Sequence, residues 1–251
     1  MAGEGLEVGV VATLYRYPVK SMRGEPIDEG RLWWHGFEGD RRFAFVRTGN
    51  TSRFPWLTGR DVPALLRYVP RFADPDDPVA SPVRVRTPGG DDLSLESDRL
   101  REELAARYGA PVHLMQSNRG TFDSMALSLI GAATVRALGD EAGLGRQLDP
   151  RRFRPNILVE TTDALPHAED RWVGGTLVFG DRDDSARVRA DRPDERCMMI
   201  NLDPDSVEQE PRVLRTVVRA HGQCAGIYGT IVRPGSVRVG DVIRLVGGPG
   251  A

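Results

Sequence analysis

Glycine and proline are scattered along the whole chain, 28 and 18 times in 251 residues, mostly singly and without a period. Such punctuation interrupts a helical repeat before it grows long, so the sequence favours many short strands joined by turns over a helical bundle. The length allows one large domain or two small ones with a sizeable core. A formal net charge of −2 argues against a partner held by phosphate neutralisation, so no nucleic acid is expected. No apolar run reaches the roughly 18–20 residues that a membrane span needs. Met1-Ala2-Gly3-Glu4-Gly5 lacks the basic and apolar regions of a secretory signal. The expectation is a cytoplasmic protein whose two cysteines, Cys197 and Cys224, are unpaired or ligating.

The β-branched and aromatic run Glu7–Tyr17 predicts a strand, ended by Pro18. Arg31–Trp34 and Arg42–Arg47 predict two more, the second alternating like a half-buried ribbon. Ala64–Val69 reads as a strand or short helix. Val83–Arg86 and Asp92–Leu95 form a hairpin around Pro88-Gly89-Gly90, and Ser97 caps a helix to Tyr108. After Val112–Met115 a second block begins near Asn118. It holds an apolar run over Met125–Ile130, a helix over Ala132–Leu138 closed by Gly139, and strands at Ile157–Glu160, Gly174–Gly180 and Ala186–Ala190. A helix over Pro211–His221 with proline in its first turn comes next. Ala225–Val232 and Ser236–Leu245 finish the sheet, the last with the texture of a closing barrel strand.

Two positions stand out chemically. Cys197 follows Arg192-Pro193-Asp194-Glu195-Arg196 and precedes Met198-Met199-Ile200-Asn201-Leu202, which reads as a loop emptying into a short strand. There Arg192 and Arg196 would lower the thiol pKa while Asp194 and Glu195 oppose them. A half-buried structural cysteine fits the same pattern. Only one of the 34 basic residues is a lysine, Lys20, either a chance survivor of a bias toward arginine or a residue kept where a guanidinium fork does not fit. With Ser21 it falls in the turn Pro18–Gly24, suited to an anion or simply solvated. Arg41 and Arg42, neighbours on a strand, would point to opposite faces, so at most one serves a given pocket. Arg146, Arg151, Arg152 and Arg154, with Asn156, gather at the entrance of the Ile157 strand. The histidines His35, His113, His167 and His221 have no paired spacing and no Cys-x-x-Cys exists, so no zinc site is expected. Gly-x-Gly-x-x-Gly, Walker and Gly-x-Ser-x-Gly motifs are also missing.

Tyr17-Pro18-Val19-Lys20-Ser21 with Gly24, Gly39-Asp40-Arg41-Arg42-Phe43, Thr58-Gly59-Arg60, Asp123-Ser124, Phe153-Arg154-Pro155-Asn156-Ile157, and Arg196-Cys197 with Leu202-Asp203-Pro204 occur in this order. Together they resemble the MOSC family, and within it the two-part members related to the mitochondrial amidoxime-reducing component, from about Val8 to Leu245. The resemblance implies an α+β, β-rich chain: an N-terminal MOSC-type α/β domain (6–117) packed on a C-terminal MOSC β-barrel (118–248). It implies a molybdenum cofactor (Mo-molybdopterin) between them, with Cys197 as the ligand to molybdenum. Lys20, Ser21, Arg42, Thr58, Arg60, Ser124, Arg154 and Asn156 match positions that surround the cofactor's phosphate and pterin edges, and guanidinium forks suit phosphate. The wider family also carries an association with pyridoxal phosphate. The implied chemistry is two-electron oxygen-atom transfer, reducing small N-hydroxylated substrates such as amidoximes or hydroxylamines. A cofactor carrier or sulfur-handling protein is the alternative. Position 126 is alanine where relatives often carry proline. Two cysteines cannot ligate an iron–sulfur cluster, so a separate electron-donor protein is expected, as is a bacterial cytosolic setting.

Overall fold

The computed structural model describes residues 5–248. The start of the segment judged to lack a signal, residues 1–4, lies outside them. In chain order the strands are β1 (Leu6–Arg16), β2 (Glu25–Ile27), β3 (Glu29–Trp33), β4 (Gly36–Phe37), β5 (Phe43–Arg47), β6 (Val69–Phe72), β7 (Val83–Arg86), β8 (Asp92–Ser94) and β9 (Val112–Gln116). They continue with β10 (Leu127–Gly131), β11 (Ile157–Thr161), β12 (Thr176–Phe179), β13 (Arg187–Glu195), β14 (Cys224–Arg233), β15 (Gly235–Arg238) and β16 (Val242–Val246). The helices are α1 (Asp98–Tyr108), α2 (Ala132–Glu141) and α3 (Pro211–His221). None of the described helices is long and apolar enough to cross a membrane.

Seven strands close a barrel in the order β11-β10-β14-β13-β12-β16-β1, and β1 pairs back onto β11. β1 therefore joins both edges of the C-terminal sheet, although it comes from the N-terminal part of the chain. Its register slips between Val11 and Thr13 against β11, and between Glu7 and Gly9 against β16. Such bulges bend a strand round a barrel wall. Gly9 permits the close approach, since a Cβ there would meet the Glu160 carbonyl at 2.5 Å. Inward residues such as Val11, Leu14, Leu129, Val159, Phe179, Val188, Ile227 and Ile243 fill the barrel.

β10 and β11 are parallel, joined through α2. All of β10 is buried because α2, α3 and the chain around Phe153 cover its outer face, which accounts for its unbroken apolar run. β2 extends the barrel sheet beside β1, and the N-terminal block is built from β5 with β9, the meander β6-β7-β8, and α1 around Phe45, Tyr68, Val85, Leu100 and Leu104. β15 leaves the barrel to pair with β3, tying the two halves together a second time.

Several sequence expectations change here. Met198–Asn201 is a 3-10 turn and not a strand. Its carbonyls need no neighbouring strand, since Arg152 donates to Asn201 O at 2.8 Å. The segment Arg192–Glu195 belongs to β13 and not to a loop, paired irregularly with β14. Gly139 does not end α2 but lies inside it, where a Cβ would meet the Arg146 carbonyl at 3.0 Å. Ser236–Leu245 divides into β15 and β16, and β5 is buried on both faces instead of one.

Candidate functional site: a basic cavity at the barrel mouth

A cavity of about 610 Å³ opens where the barrel end meets the N-terminal block. Its wall gathers Lys20, Ser21, Arg60, Ser124, Arg154, Asn156 and Cys197. Thus seven of the nine residues singled out from sequence share one space. Six basic side chains line it (Lys20, Arg41, Arg60, Arg152, Arg154 and Arg196) against three acidic ones, Asp123, Asp194 and Glu195. That imbalance favours an anionic ligand.

Arg42 is a correction. It turns away and donates to Val79 O at 3.1 Å, while Arg41 lines the cavity. Arg41 is not on a strand: it sits in a left-handed turn, φ 49°, held by its N–H on Tyr17 O, and β5 begins only at Phe43. Opposite faces of a strand therefore do not decide between the two. Thr58 is the second correction. It is buried behind the wall, where its hydroxyl donates to Asp61 at 2.9 Å and accepts from Arg60 N. Its work is to shape the turn that presents Arg60. Gly59 lets that turn approach, since a Cβ would lie 2.7 Å from Met199 Cε.

The anchoring begins with Tyr17. Its ring carries the guanidinium of Arg41 at 4.4 Å and that of Arg154 at 4.3 Å, and its hydroxyl donates to Pro155 O. Burial pushes the phenol pKa up. Asp40 accepts from Tyr17 N at 2.7 Å, Arg41 Nη1 at 2.5 Å and Asn156 Nδ2 at 3.2 Å. Burial works to lower Arg41, and Asp40, Tyr17 and Asp123 together more than reverse this, so its pKa is raised. Arg154, also left-handed with φ 51°, donates to Met22 O, while its Nη2 is buried without a partner. Burial draws its pKa down to about 10.

Lys20 is 6 % exposed and pairs with Asp123 and Thr121 O, two acceptors for three ammonium donors. Burial is the main reason its pKa falls, against the pull of Asp123. The lone lysine is thus a buried part of the cavity wall.

Cys197 is exposed at the head of its 3-10 turn, and neither cysteine is in a disulfide. Arg192, expected to act on the thiol, instead donates to Ser124 Oγ and covers the Tyr228 ring. Arg196 is likewise engaged, by Ala225 O, Phe153 O and Asp194. Buried Asp194 accepts from Ser128 Oγ at 2.6 Å and has its carboxyl pKa pushed up by burial. Tyr228 beside it is raised by burial, then by Asp194.

Sequence reasoning passed over Arg41 and Tyr228 as cavity residues and gave Asp194 only an effect on the thiol. The missing signal is conformational: Ser21, Arg41, Arg154 and Gln223 all line the cavity with positive φ and are not glycine. Such outliers gather at functional sites.

Comparison with known proteins gives a consistent picture. A MOSC domain model matches residues 113–244, and a MOSC N-terminal beta barrel domain model matches residues 8–123. Human mitochondrial amidoxime-reducing component 1 is 24 % identical over 96 % of this chain and 84 % of its own length. Molybdenum cofactor sulfurase of Drosophila mojavensis is 32 % identical over 51 % of this chain and 15 % of its own. The YUAD protein of Bacillus subtilis, 14 % identical, shares the fold with TM-score 0.52 over 96 % of this chain and 97 % of that one.

Proposed function

Starting from the fact that this chain belongs to the MOSC domain family, we propose that its cavity holds a molybdenum–pterin cofactor and that the protein reduces small N-hydroxylated compounds. One observation carries the reading: an exposed thiol, Cys197, shares a single basic cavity with the buried, unpartnered Nη2 of Arg154. Soft sulfur suits molybdenum, and an orphaned guanidinium N–H suits a phosphate oxygen. The residues present therefore fit such a group. Cys197 would ligate the metal, and Lys20, Arg41, Arg60 and Arg154 would receive the phosphate and pterin edges. When bound, the cofactor supplies two-electron oxygen-atom abstraction.

The chain's own part is to position and to hold protons. Tyr17 and Asp40 fix the two guanidinia before any ligand arrives, so little ordering is left to binding. Converting an N–OH to an N–H takes protons as well as electrons. Asp194, whose Oδ1 is buried without a partner, and the Tyr228 hydroxyl are the proton-holding groups of the wall. Electrons would come from a separate donor protein.

The test is elemental analysis and benzamidoxime turnover, with a supplied reductant, on protein from a host that makes the cofactor. Wild type should carry about one molybdenum per chain and turn over; Cys197→Ala should lose the activity. Unchanged activity in that variant removes the assigned role. Metal without turnover in wild type favours a cofactor carrier or sulfur-handling protein, a reading supported by the similarity to molybdenum cofactor sulfurase. Asp194→Asn should keep its molybdenum and lose about 10²-fold in turnover, in line with general acid catalysis.

A further inference from the structure

Away from the cavity, three side chains distant in sequence meet where two helices end. Glu141 closes α2, His221 closes α3, and His167 precedes the 3-10 segment Ala168–Trp172. One ligand atom from each lies within 4.8 Å of the others. The imidazoles stack with centroids 4.0 Å apart, and His221 Nε2 is 2.6 Å from Glu141 Oε2. Both ring nitrogens of His167 are buried without a hydrogen-bond partner. Buried polar atoms of that kind are uncommon and costly, so they call for an occupant.

The surroundings hold His167 in this place. It takes a left-handed conformation, φ 57°, and its backbone N–H donates to Thr134 Oγ1 at 2.8 Å. Thr134 donates in turn to Glu169, fully buried, which also accepts from Gly131 N. The loop is thus tied to the first turn of α2 while its histidine reaches the last turn.

We propose that Glu141 Oε2, His167 Nε2 and His221 Nε2 form a binding site for a divalent transition metal, with zinc as its best match. Two imidazoles and a carboxylate are a recurrent zinc donor set, bound at about 2.0–2.2 Å. Donors round such an ion sit about 3.3 Å apart, so Glu141 must back away from its 2.6 Å contact with His221 and the rings must tilt out of their stack. Glu141, on the surface, is free to swing. His167 Nδ1 faces Asp170 Oδ2 at 3.9 Å, the kind of outer carboxylate that orients a ligating histidine. The converging C-terminal ends of α2 and α3 add partial negative charge, which favours a cation. Burial, then the neighbouring His221, lowers the pKa of His167. The site is independent of the cavity chemistry but not remote from it. Gln223, two residues beyond His221, exchanges backbone and side-chain hydrogen bonds with Arg196, next to Cys197. A metal here would pin the segment behind the thiol.

Zinc titration of the chelator-treated, otherwise intact protein by calorimetry tests the site, with cobalt absorption as the reporter of ligand type. Wild type should bind one zinc with micromolar or tighter affinity, and cobalt should give visible d–d bands without a thiolate charge-transfer band. Affinity should fall at least ten-fold in His167→Asn and His221→Gln, and fall also in Glu141→Gln, whose surface position leaves folding intact. Cys224→Ser should bind as wild type does. The proposal is overturned if wild type takes up no zinc, if the histidine and glutamate variants bind undiminished, or if the cobalt spectrum shows thiolate.

Discussion

Asn156 uses its whole hydrogen-bonding capacity: Nδ2 donates to Tyr15 O and Asp40 Oδ2, and Oδ1 accepts from Ser128 N and Arg41 Nη1. Asn156→Ala strands those partners in a buried setting and should cost about 2–3 kcal/mol of stability, measured by denaturant unfolding. Arg154 is the opposite case. Its unpartnered buried Nη2 disfavours the fold until a ligand meets it, so Arg154→Gln should leave the melting temperature of cofactor-free protein unchanged or raised. The same variant should retain cofactor at least ten-fold less well; a large fall in melting temperature with retention unaltered would show that the arginine is merely structural. At this scale the sequence was a good guide wherever chemistry alone marks a residue. The solitary lysine and the cysteine behind an Arg-rich run are of that kind. Choosing Arg41 over Arg42 depends on a left-handed turn that no local pattern announces.

Most elements were legible because hydrophobic period and caps act locally: Ser97 caps α1, and Pro211 opens α3 as anticipated. The turn Met198–Asn201 was not. An apolar run of four to eight residues cannot by itself be told from a buried strand, and here the long-range donor Arg152 satisfies its carbonyls. That turn is steadied beyond Leu202 by Asp205, which pairs with Arg151 and Arg23. The hydrogen bond from Arg151 is the chief reason that the Asp205 carboxyl sits below its ordinary value. A depressed carboxyl contributes stability above its unfolded value, about 3.9, and the contribution is lost as pH falls through the folded one. Acidification below about pH 4 should therefore loosen amide-exchange protection around Met198–Leu202 before the barrel strands open. Asp205→Asn should show the same loosening at neutral pH, and equal protection in both proteins would contradict this role.

For the whole molecule, the expected division into 6–117 and 118–248 hides an exchange: β1 is a barrel stave, and β15 pairs with β3 from the first half, the two packing on the barrel core through Leu32 and Val237. Sequence order places neighbours well but cannot show which distant edges a strand will bridge. A fragment of residues 118–248 should leave β11 and β16 with open edges and aggregate. A version with residues 5–17 linked after residue 248 should be markedly more soluble and show a cooperative melt; a well-folded short fragment would refute the dependence. The pairing of Val10 with Val242 also has a temporal side. A ribosome adds about 5–20 residues per second, so the first stave waits roughly 10–50 s for the neighbour synthesised about 230 residues later. During that interval β1 can pair with β2 and later with β11, but its edge toward β16 stays open, and a chaperone's shelter would matter most for that edge.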